Sequence, residues 1–127
     1  MDSNSHWRTN QVNEFSRGSG MEANLETIGD ERPLSVAGAT ALYWLTQESL
    51  ANALKHSAAS RADVTLSYEA RQIRLNVVDD GQGFDISSVA RGHGLENVNR
   101  RTEELDGSVT IESVPGDGTS VTVTLPA

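Results

Sequence analysis

Ile73-Arg74-Leu75-Asn76-Val77-Val78-Asp79-Asp80-Gly81-Gln82-Gly83-Phe84 carries an alternating apolar run into a carboxylate and two spaced glycines. Ile73, Leu75 and Val77 recur at the period of a half-buried strand. Upstream, Val64, Leu66 and Tyr68 repeat the pattern, and a turn near Ala70-Arg71-Gln72 predicts an antiparallel pair. The Asp-Gly step has an ordinary reading as a hairpin turn. Two glycines at alternate positions exceed what a two-residue turn requires, and missing side chains let a backbone approach a flat ligand closely. A carboxylate at such a strand end accepts a hydrogen bond from an exocyclic amine. Adenine presents an amine there and guanine an oxygen, a mismatch that costs on the order of a few kcal/mol when buried.

Working outward, the chain from Met21 predicts a short strand over Ala23 to Ile28, closed by Gly29-Asp30. After Pro33, Ser35 suits an N-cap, and a helix is expected from Val36 to His56. Projected at about 100° per residue, Leu42, Tyr43, Thr46, Leu50, Ala53 and Leu54 fall together and are expected to bury. Glu48, Asn52, Lys55 and His56 share an arc of about 100° expected on the opposite side. A polar arc is usually a solvated face. Here, however, a poor helix former, Asn52, stands between a carboxylate and two basic groups. Its carbonyl oxygen is a hard ligand suited to Mg²⁺, which keeps most of its waters. Glu48, one turn earlier, could orient a water; Lys55 and His56, one turn later, could meet phosphate oxygens.

A second glycine group, Gly92-His93-Gly94-Leu95, leads into a helix marked by Leu95, Val98, Thr102 and Leu105 and expected to stop at Gly107. Free amides at such a helix start hold phosphates, although a plain flexible loop has the same composition. Two strands close the chain, Val109 with Ile111 and then Val121, Val123 and Leu125, around Pro115-Gly116-Asp117-Gly118. Thr119 either bonds the base beside Asp79 or is an ordinary strand residue. Helices mixed with mainly antiparallel strands predict an α+β class, a two-layer sandwich with helices on one face of a mixed sheet.

The 127 residues suit one domain, and 36% hydrophobic content supports one core. No cysteine is present, which excludes disulfides and thiolate metal sites. The net charge of −8 argues against nonspecific nucleic-acid binding, which needs clustered Lys and Arg. No apolar run approaches the roughly 20 residues that cross a bilayer, so no membrane contact and a cytoplasmic site are expected. Residues 1–20, rich in Ser, Asn and Gly and carrying His6, read as a disordered leader, either vector-derived or a linker, with the domain spanning 21–127.

Taken in order, these motifs resemble the GHKL ATPase superfamily, and most of all the ATP-binding domain of sensor histidine kinases partnered with helix-turn-helix response regulators. Leu42 to His56 is similar to that family's N box, Asp79 to Phe84 to its first glycine box, Gly92 to Leu95 to its second, and Gly118-Thr119 with Leu125-Pro126 to its closing signature. The resemblance implies the Bergerat fold, with ATP and Mg²⁺ as cofactors. It implies Asn52 as the Mg²⁺ ligand, Glu48 as a water-orienting carboxylate, and Lys55 and His56 near the phosphates. It further implies Asp79 as the adenine selector with Gly81 and Gly83 permitting approach, Thr119 as its support, and Gly92, His93, Gly94 and Leu95 at the lid edge and helix cap. Gln47 stands where many such kinases have histidine, and the segment from Phe84 to Gly92 is short; both fit this subgroup. No hairpin bearing a phosphoacceptor histidine is expected before Met21, so the implied partner is a separate dimerisation and phosphotransfer domain, with the response regulator reached indirectly. The alternatives are a serine kinase of the anti-sigma-factor type and a noncatalytic nucleotide-binding module.

Overall fold

A computed structural model of the chain describes residues 3–55, 59–82, 100, 102–113, 116 and 118–126, with backbone alone for 3–9 and 55. Its elements are α1 (Ser3–Ser19), β1 (Glu22–Ile28), α2 (Val36–Lys55), β2 (Arg61–Tyr68), β3 (Gln72–Asp79), β4 (Ser108–Ser113) and β5 (Thr119–Pro126). The strands form one sheet in the order β1-β2-β3-β5-β4. β1 runs parallel to β2, with Glu22 opposite Arg61, and every other pair is antiparallel. A parallel pair needs a crossover, and α2 supplies it. The α+β sandwich with a mixed, mainly antiparallel sheet is therefore observed.

Alternation decides the faces. Val64, Leu66, Ile73, Leu75, Val77 and Val123 point to one side of the sheet and are buried. Thr65, Asn76 and Thr122 alternate with them on the other side, where Asn76 Nδ2 donates to Thr122 Oγ1 at 2.9 Å. Fully burying each Leu or Val contributes about 1.5–3 kcal/mol. α2 starts where Ser35 caps it: the Gly38 amide donates to Ser35 Oγ at 2.9 Å. Leu42, Leu45 and Leu50 on α2 are fully buried.

Two expectations about α2 change. Tyr43 (49% exposed) and Leu54 (38%) lie outside the core, while Leu45 and Ser49 are inside it. On a helix of 3.6 residues per turn, Leu45 and Ser49 flank Leu42 on the side of Glu48 and Asn52, and Tyr43 and Leu54 flank it on the other. The buried arc is thus turned toward the polar stripe, which leaves Glu48 and Asn52 half-buried.

The expected disordered leader is replaced by α1 from Ser3 to Ser19. Val12 and Met21 join the buried core, and Phe15 packs against it. Gln11 Nε2 donates to the Tyr43 carbonyl at 2.8 Å and to Gln47 Oε1 at 3.2 Å. Such a polar segment becomes helical through contacts with the rest of the fold more than through its own pattern. The backbone around His6 is therefore helical.

The helix ahead of β4 is described only at residue 100 and residues 102–104. Its end is a Schellman turn: the Gly107 amide bonds the Thr102 carbonyl at 2.8 Å and the Asp106 amide bonds that of Glu103 at 3.0 Å. The left-handed residue of this turn is Asp106, with φ of 59°. Gly107 is glycine for a different reason, since a Cβ there would collide with the Thr124 carbonyl of β5.

Candidate functional site

α2 crosses the sheet from one end to the other. Near its start, Leu42 lines a cavity of about 300 Å³ with Pro33, Leu34, Gly38, Ile73 and Leu125. Near its end, the Ala53 carbonyl accepts the Ala59 amide at 3.0 Å, just before β2 begins beside the end of β3. Asn52 therefore lies at the Asp79 end of the fold, and the cavity at the opposite end contains none of the expected site residues.

Asp79 is the last residue of β3 and sits directly opposite Thr119, the first residue of β5. Continuing the period of Ile73, Leu75 and Val77, it points inward and is only 8% exposed, while Thr119 is 6% exposed. A carboxylate buried that deeply requires hydrogen-bonding partners. The Gly81 amide donates to Asp79 Oδ1 at 2.9 Å, folding the chain back into an Asx turn and fixing the carboxylate's orientation. Gly118 lies against this turn. Its φ is +79°, and a Cβ there would stand 2.5 Å from the Asp79 carbonyl oxygen. The Gly116 amide also bonds the Gln82 carbonyl, so the two glycine-bearing loops are laced together.

Asp80 faces outward and does structural work that the sequence reading missed. It accepts hydrogen bonds from the Ser60 amide and hydroxyl and from the Arg61 amide. Those bonds, the Ser60 hydroxyl's first and the Arg61 amide's next, hold its carboxyl below the ordinary value of 3.8. Ser113 is a second residue missed: on β4 it stands opposite Thr119, and their hydroxyl oxygens are 2.8 Å apart. The signal was present in the alternation, because Ser113 continues the inward positions of Val109 and Ile111.

The structure brings Asp79, Gly81 and Thr119 together and sets Glu48 and Asn52 on the helix that reaches their end of the sheet. Lys55 closes α2, with its side chain outside the described residues; His56, Gly83, Gly92, His93, Gly94 and Leu95 also lie outside them. Among the described residues no three His, Cys, Asp or Glu side chains converge on a metal position. A neutral amide with water-rich coordination suits Mg²⁺ without such a cluster.

The family described as histidine kinase-, DNA gyrase B- and HSP90-like ATPase matches residues 37–127, a stretch holding every site residue named above. The chain belongs to this ATPase family. Within it, the chain is 38% identical over 86 residues to the sensor histidine kinase LiaS of Bacillus subtilis, covering 67% of this chain and 24% of LiaS. It is 29% identical over 116 residues to the signal transduction histidine-protein kinase/phosphatase DegS of Brevibacillus brevis, covering 91% of this chain and 30% of DegS. The chain thus spans a third or less of the curated relatives it matches. The histidine kinase domain of a blue-light-activated histidine kinase from Erythrobacter litoralis has the same fold, with a TM-score of 0.71 at 23% identity over 91% of this chain and 60% of that one. A longer structure of that kinase superposes with a TM-score of 0.76 at 23% identity, over 95% of this chain and 41% of that one. No helix among the described residues is long and apolar enough to cross a membrane.

Proposed function

We propose that this domain binds Mg-ATP and presents the terminal phosphate to a histidine on a separate dimerisation and phosphoacceptor domain. The observation that carries the reading is the buried Asp79 carboxylate, oriented by the Gly81 amide and backed by Gly118 and Thr119. Held acceptors at a strand end fit the amino edge of adenine, and the missing side chains of Gly81 and Gly83 permit the approach of a flat base. Asn52 holds the metal, Glu48 orients water, and Lys55, His56, Gly83 and the Gly92–Leu95 segment line the phosphates. When bound, Mg²⁺ supplies neutralisation of the triphosphate charge. Catalysis rests on alignment and charge, because phosphoryl transfer asks little covalent work of the protein.

The names of the relatives favour a histidine acceptor over a serine-bearing antagonist, and a response regulator, of the helix-turn-helix class, as the eventual recipient. The parent kinase is read as cytoplasmic at this domain, with any membrane anchor elsewhere in the protein. Asp79→Asn abolishes ATP binding in calorimetry while the thermal transition without nucleotide stays cooperative; wild-type affinity in that variant removes Asp79 from the site. Radiolabelled ATP leaves no stable label on this chain alone and labels a supplied histidine-bearing dimerisation domain. Label on His6 or His56 overturns the separate-acceptor reading.

A further inference from the structure

Three inward positions line up across three strands: Asp79 on β3, Thr119 opposite it on β5, and Ser113 opposite Thr119 on β4. We propose that Ser113 is a positioning residue for base recognition, fixing the proton of the Thr119 hydroxyl so that Thr119 and Asp79 together read a purine that donates at position 6. The proposal rests on the reading of Asp79 as the base-contacting carboxylate.

The argument is one of proton placement. A serine or threonine hydroxyl has one proton and two lone pairs. Ser113 Oγ lies 2.8 Å from Thr119 Oγ1 and 3.4 Å from the Gly118 carbonyl oxygen. A carbonyl only accepts, so a Ser113 that donates to Gly118 receives the proton of Thr119. Thr119 then keeps lone pairs for an incoming donor. Asp79, as a carboxylate, is also an acceptor. A base edge with two N–H groups satisfies both, whereas a base with a carbonyl at the same place meets two acceptors and leaves them unpaired. Without Ser113, the Thr119 proton rotates toward the ligand, and Thr119 donates to a carbonyl as readily as it accepts from an amine. Both Thr119 and Gly118 are buried, so water is a poor substitute for the missing hydroxyl.

The experiment compares ATP with inosine triphosphate, which carries a carbonyl in place of the 6-amino group, by calorimetry on the full chain with Mg²⁺. Wild type prefers ATP. Ser113→Ala shrinks the ATP-to-ITP affinity ratio by about five-fold, the worth of one ordinary hydrogen bond. Ser113→Thr, which keeps a hydroxyl, retains the ratio, and Ser113→Val, a good strand former without one, repeats the alanine result. A general loosening of β4 weakens both nucleotides alike and leaves the ratio untouched. A wild-type ratio in Ser113→Ala or Ser113→Val, or a lost ratio in Ser113→Thr, overturns the proposal. If Asp79→Asn abolishes ATP binding while Ser113→Ala keeps the wild-type ratio, only the role of Ser113 falls. If wild type binds ATP and ITP equally, the adenine reading of the site falls with it.

Discussion

Asp80 accepts hydrogen bonds of 3.0, 2.8 and 2.9 Å from the Ser60 amide, the Ser60 hydroxyl and the Arg61 amide, and its own amide bonds the Arg61 carbonyl. These contacts exist only in the folded chain and favour the charged carboxylate, so its folded pKa is depressed. A depressed carboxylate stabilises the fold fully above its ordinary value of 3.8, and that contribution disappears as the pH falls from there through the lower folded value. Asp80→Ala is therefore less stable than wild type at neutral pH, and its stability declines less steeply below pH 3.8, as urea melts at stepped pH would record. A parallel decline in the two proteins contradicts the assignment. The neighbouring Asp79 differs because strand period, not composition, separates the two carboxylates. That distinction was legible: counting by twos from Ile73 puts Asp79 inside and Asp80 outside. What Asp80 would bond was not legible, because Ser60 lies twenty residues away and its approach depends on how β2 registers against β3.

α2 and α1 show where pattern suffices and where it does not. A serine before a long apolar-periodic run announced α2, and its cap and length are as read to within one residue. The same projection misjudged Tyr43 and Leu54, since it gives the width of an apolar arc and not the direction in which neighbours turn it. α1 had no comparable signal: it offers Val12 and Phe15 at helical spacing among polar residues and glycine. Gln11 is buried, and its Oε1 meets no partner among the described residues; an acceptor left so costs on the order of 1–3 kcal/mol. Val12 is 1% exposed, so α1 nevertheless contributes to the core. Val12→Ala lowers unfolding stability by about 2 kcal/mol, from two lost methylene equivalents and the hole they leave. A shifted urea midpoint with an unchanged slope would show that α1 folds with the sheet. An unshifted midpoint would show that α1 is an appendage.

The site depends on sheet order more than on any single motif. Asn52, Asp79 and Thr119 are far apart in sequence, and inserting β5 between β3 and β4 is what sets Thr119 beside Asp79. Motif order indicated which residues belong together, and alternation put Ser113 on the inward face, but its place opposite Thr119 became visible only with that register. On the proposed function, nucleotide binds the assembled sheet and not the unfolded chain, so binding is linked to global stability: Mg-ATP at one hundred times its Kd would add about 2.7 kcal/mol. Chelating the metal separates the contributions of α2 and of the sheet. If Asn52 holds the metal as proposed, removing Mg²⁺ at fixed ATP lowers the melting temperature of the wild type. On the same reading, Asn52→Ala leaves the proposed contacts to Asp79 and Thr119, so a smaller ATP-dependent shift persists, but chelation no longer changes it. A chelation response of wild-type size in Asn52→Ala would place the metal on other residues and confine α2 to a structural part.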